Sequence, residues 1–135
     1  MDKHRLQIQD LITSLSFQKK LVFAVLVCEK LYPNYVYFSN KNDWVNSEVL
    51  ENAISNLYQY IYRSDLFSES EIEALIDEIN QITPNTEDFE EIFVSFALDA
   101  CTSILSTLNF ILDKNTENII DVATNATDTV DMFIQ

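Results

Sequence analysis

Not one of the 135 residues is glycine. Loops that cradle phosphates, dinucleotide-binding turns and nucleophile elbows all need backbone that only glycine supplies, so this chain carries none of them. No window alternates with period two for long, as a half-buried strand would. What remains is helix, and helical periodicity runs through nearly the whole sequence.

Ile8, Leu11, Ile12 and Leu15 form one apolar stripe over a first helix, about residues 2–15. Ser16 is placed to cap a second helix through Leu21–Cys28, an eight-residue run apolar on every side and therefore expected at the centre of a bundle. Pro33 marks a kink there, or the first turn of a further piece over residues 34–40. A polar loop is expected over residues 39–46, with Trp44 as its anchor in the core. Asn46 is the expected cap of a helix to about Tyr62. Ser68-Glu69-Ser70-Glu71 reads as a capping box opening a short helix to about Gln81. Beyond Pro84, Asn85 or Thr86 caps a long helix to about Asp113. Thr116 caps a last one, whose Ile119, Val122, Ala126, Val130 and Phe133 approximate a heptad seam. The expectation is an all-α, single-domain bundle of six to seven helices over residues 1–135, with 47% apolar residues to fill its core.

The formal net charge is −14, and it is lopsided. Residues 1–64 hold seven basic and six acidic residues; residues 65–135 hold sixteen acidic ones and a single base, Lys114. Such a balance argues against nucleic acid or anionic lipid as direct partners, since both are held mainly by Lys and Arg. Concentrating like charge costs self-repulsion, and that points to a cationic protein partner. The acids of the 65–91 region come from two consecutive helices that are expected to share one side. Its docking candidates are Asp65, Glu69, Glu73, Asp77, Glu78, Glu87, Asp88 and Glu91, with Tyr58 and Tyr62 as anchoring aromatics.

Catalytic groups are sparse. His4 is the only histidine, set beside Lys3 and Arg5, and Cys28 and Cys101 lie in apolar runs as expected buried free thiols. Glu-x-x-His pairs of the kind that hold metals in bundles are absent from the sequence, so neither a metal nor another cofactor is expected. Asp99 and Glu29 interrupt apolar faces, where pairing with a tyrosine or Lys30 would accommodate them. A charged, polar start and no uninterrupted apolar stretch of about 18 residues suggest a cytoplasmic, reduced setting with no membrane contact.

The segment Cys28-Glu29-Lys30-Leu31-Tyr32-Pro33-Asn34-Tyr35 resembles a motif of a bacterial all-helical family of unknown function. Thr83-Pro84 through Asp88-Phe89, and Ala97-Leu98-Asp99-Ala100-Cys101, resemble it further. The resemblance implies helices and no catalytic residues, and it implies members that continue past the position of Gln135 with further charged helix. By properties alone the chain also resembles an immunity protein. The expected function is therefore a non-enzymatic inhibitor that neutralises a basic toxin domain, for preference a nuclease such as an RNase of a contact-dependent growth inhibition system. The alternative is a non-enzymatic housekeeping or adaptor bundle of that uncharacterised family, whose working surface is the Tyr32–Tyr35 segment.

Overall fold

A computed structural model describes residues 3–44, 47–85, 87 and 93–134, with side chains described between 6 and 127. Among these residues the elements are α1 (Lys3–Thr13), α2 (Phe17–Asn42), α3 (Ser47–Tyr62), a 3₁₀ turn (Ser64–Leu66), α4 (Glu69–Ile82), α5 (Phe93–Asp113) and α6 (Glu117–Ile134). The all-α bundle expected from periodicity is the fold.

Its centre is α2 against α5, the most extensive helix pair, with α3 and α6 flanking α2 and α4 lying on α5 and α3. Eleven residues of α5 are buried, including Phe96, Ala100, Ile104 and Leu108, as the three- and four-residue spacing requires. By length and composition both α2 and α5 could cross a membrane, with mean hydropathies of 1.2 and 1.4. Here 61% of the apolar window of α5 is buried in the bundle and 39% of that of α2. Buried polar groups fix the helix register. The Thr107 hydroxyl donates to the Ser103 carbonyl at 2.8 Å and lies 3.5 Å from the Cys28 sulfur. Asn125 of α6 donates to the Ser103 and Thr102 hydroxyls, each at 3.1 Å. Satisfied in this way, such groups cost the core little and penalise slipped packings.

Local signals were mostly faithful. Ser16 caps α2, its hydroxyl accepting from the Lys19 N–H at 3.2 Å. Ser68 caps α4 by accepting from the Glu71 N–H at 3.2 Å. At α6 the side-chain cap is Asn115, which accepts from the Glu117 N–H at 3.0 Å, while the Thr116 hydroxyl instead takes the Lys20 ammonium at 2.9 Å. The expected caps Asn46 and Thr86 lie outside the described residues. Two helix ends need positive φ, and without glycine they use Asp43 (φ 53°) after α2 and Lys114 (φ 57°) after α5.

Pro33 is the main correction. It does not start a new piece: α2 runs through it to Asn42. A proline removes one helical hydrogen bond, here the one to the Glu29 carbonyl. That loss is outweighed because side chains beyond it are locked in the core: Tyr35 and Phe38 are fully buried. The loop after α2 is correspondingly short, and Trp44 anchors it as expected, edge-on to Phe38. Tyr35 Oη and Trp44 Nε1 each donate to the Ile82 carbonyl at 3.0 Å. This clamp ties both α2 and its following loop to the C-terminal end of α4.

Candidate acidic docking face

The amphipathic spacing of α4 turns Ile72, Ile79 and Ile82 into the core and leaves Glu69, Glu71, Glu73, Asp77 and Glu78 exposed. Glu69, Glu73 and Asp77 follow one another at four-residue steps, so they line one stripe, while Glu71 and Glu78 lie on the other flank. The first-turn acids complement the helix dipole, but Asp77 and Glu78 stand in the C-terminal half, and the last turn holds no base. Like charges four apart each cost a helix roughly 0.2–0.5 kcal/mol. Beyond the first turn, Glu73, Asp77 and Glu78 therefore do nothing for the stability of α4.

Glu87, also exposed, follows in the connection to α5, with its N–H on the Asn85 side chain at 3.0 Å. Asp88 and Glu91 lie outside the described residues. Asp65, in the 3₁₀ turn ahead of α4, is already spoken for: the Arg63 guanidinium holds it through two bonds of 3.1 and 3.2 Å and lowers its carboxyl below the usual range. The pair spans the start of the 3₁₀ turn, and the i, i+2 spacing of Arg63 and Asp65 is the signal of it in the sequence.

Tyr58 does not join these acids. Tyr58 turns toward α2 and donates to the Glu29 carboxylate, a bond that, with burial, pushes its hydroxyl up to about 12. Glu29 thus has the tyrosine partner expected of it. Tyr62, one turn further and 81% exposed, lies on the same flank as Tyr58. Tyr60 rather than Tyr58 faces the 3₁₀ turn, its ring 5.8 Å from that of Phe67. Tyr32 of α2 reaches Glu51 of α3 at 3.4 Å, and burial, with the Glu51 carboxylate, raises its hydroxyl. The α2–α3 flank is therefore a second surface of acids and tyrosines, which needed the pairing of those helices to be seen.

Other features are chemically quiet. Cys28 and Cys101 are buried free thiols, each pushed up to about 12 by burial, so neither supplies a thiolate near neutral pH. Among the described residues no group of three or more His, Cys, Asp or Glu side chains could hold a metal. Asp99 lines a cleft of about 380 Å³ between α5 and α6, with Thr102, Ser106, Asp121 and Asn125 around it. Pro33, Asn34, Tyr37 and Phe93 line a surface cleft of about 390 Å³, and the Lys41 ammonium sits 5.1 Å from the Phe93 ring centre.

Among the described residues, six α-helices packed as a bundle, with the thiols sealed in the core and an acidic helix outside, define the molecule's class. The chain belongs to the DUF416 family, proteins of unknown function, whose family model matches residues 7–135. It is similar to a solved DUF416 protein from Shewanella baltica, with 28% identity and a TM-score of 0.87, over 93% of this chain and 64% of that one. Uncharacterized relatives include a Haemophilus influenzae protein, 22% identical over 92% of this chain and 63% of its own length. Escherichia coli YjaG is 21% identical over 84% of this chain and 57% of its own length. The chain thus spans less than two thirds of these relatives.

Proposed function

We propose that this chain is a non-catalytic protein-binding module that docks a basic protein surface through the carboxylates of α4. The observation that carries the reading is the exposed, base-free set Glu69, Glu71, Glu73, Asp77 and Glu78, of which Glu73, Asp77 and Glu78 lie beyond the first turn and gain nothing from the helix dipole. Between Asp65 and Asp113 there is no Lys or Arg to neutralise it. Such a field speeds encounter with a cationic partner and selects against anionic ones. The particular form we favour is inhibition of immunity type in the bacterial cytoplasm. There the acids would occupy or rim the phosphate-binding surface of a basic toxin domain such as a nuclease. Sealed, high-pKa thiols are consistent with a role that needs no nucleophile.

The adaptor reading keeps a foothold in one observation. Tyr35 is spent on the core clamp, but Pro33, Asn34 and Tyr37 remain at the surface with Phe93. Its working surface would be that cleft rather than the whole Tyr32–Tyr35 segment.

The experiment is capture of partners on immobilised protein from host lysate, and from the product of the neighbouring reading frame, at low and high salt. A basic protein retained at low salt and released at high salt supports the reading. Retention lost on replacing Asn34 and Tyr37, with salt without effect, would favour the adaptor.

A further inference from the structure

α1, α2 and α6 leave between them an open apolar groove of about 460 Å³, lined by Ile8, Leu11, Phe23, Val27 and Ala126. Leu11 is 68% exposed on its rim, and Leu26, next to Val27 on α2, is 49% exposed. Large aliphatic side chains held this far in water are a cost that a covered surface would not carry. The groove lies away from α4, which packs on α3 and α5.

The family comparison says what could cover it. In the Shewanella protein the same bundle accounts for 64% of the chain, and the matches span 63% and 57% of the Haemophilus and Escherichia proteins. Each of these relatives therefore carries more than a further third of chain beside the shared bundle. A segment of that size is stable only if its own apolar stripe packs on another element. An open groove between helices accepts such a stripe as a helix with apolar residues at i, i+3 or i+4, and i+7.

We infer that this groove is the seat of an amphipathic helix, the counterpart of a helix in the additional third of the longer relatives. The contact is apolar and therefore insensitive to salt, which separates it from docking on α4. Leu11 and Ala126 set its two walls, on α1 and α6.

The probe is a set of synthetic peptides tiling the part of the Shewanella baltica protein outside its matched 64%. They are titrated against the whole chain with chain-length and melting controls. At least one tile is expected to bind, equally at low and high salt, and to gain helix on binding. Leu11→Glu should weaken that tile about tenfold or more, because a carboxylate would be buried without a partner, and the exposure of Leu11 leaves the fold intact. Glu73→Lys should leave it unchanged. The inference is overturned if no tile binds the folded chain, or if Leu11→Glu and Ala126→Lys bind as the parent does. A parent dimer dissociated by Leu11→Glu would overturn it as well, by putting a second copy in the groove.

Discussion

The clamp on the Ile82 carbonyl makes a quantitative prediction. Two donors from different parts of the chain, Tyr35 Oη and Trp44 Nε1, share one acceptor at 3.0 Å each, at the end of α4 where carbonyls lose their helical partners. Tyr35→Phe removes one bond and leaves the other, so it should cost about 0.5–1.5 kcal/mol, the net worth of a hydrogen bond. Trp44→Phe loses its bond together with packing against Phe38. The double variant strips both side-chain donors from a carbonyl whose residue is 7% exposed. An unpaired buried acceptor costs a further 1–3 kcal/mol or so. The double variant should therefore lose about 1–2 kcal/mol more than the two single losses combined. Urea unfolding followed by circular dichroism is the assay, since Trp44 is the only tryptophan and cannot serve as its own probe. Losses additive within about 0.3–0.5 kcal/mol would refute the shared acceptor, and a neutral Tyr35→Phe would return Tyr35 to the adaptor reading.

Three further outcomes are expected. Lys114→Gly relieves a left-handed backbone at the end of α5 (φ 57°) and should raise stability by about 0.5 kcal/mol, the relief of roughly 1–2 kcal/mol offset by glycine's looser unfolded chain; a loss in thermal melting would contradict it. Cys28 and Cys101 are raised from 9.0 to about 12 in the folded state. The stability they contribute is complete below pH about 9 and is lost as pH rises toward about 12, because the unfolded thiols ionise first; native protein should resist iodoacetamide at neutral pH, and rapid alkylation would show the thiols to be open. Sodium chloride should raise the melting temperature, by about 2 °C or more at molar concentration, by screening repulsion within a chain of net charge −14; a flat response would mean that the α4 acids are compensated.

The fold was legible because its signals are local. Apolar spacing announced α3, α4 and α5, and Ser16 and Ser68 marked helix starts within reach of their own backbone. The rule for Pro33 is local too, whereas burial of Tyr35 and Phe38 in the core carries α2 past it. The acids of α4 were legible as an exposed face from their spacing alone. Tyr58 was not, since its direction depends on Glu29 standing 29 residues away on the facing helix. The groove was invisible for the same reason: Ile8, Phe23 and Ala126 look like ordinary core residues until three helices are seen to leave them uncovered.

The central claim is that α4 docks a basic partner through its carboxylates. The most direct measurement is the affinity of the captured partner for the parent and for a Glu69→Lys/Glu73→Lys/Asp77→Lys variant, each across a salt series. These side chains are exposed, so the variant should still fold, with a loss of no more than about 1 kcal/mol where Lys replaces the first-turn Glu69. The account predicts an affinity that falls with salt for the parent, and for the variant a weaker affinity with a flattened salt dependence. Equal affinity and equal salt response in the two proteins would contradict it.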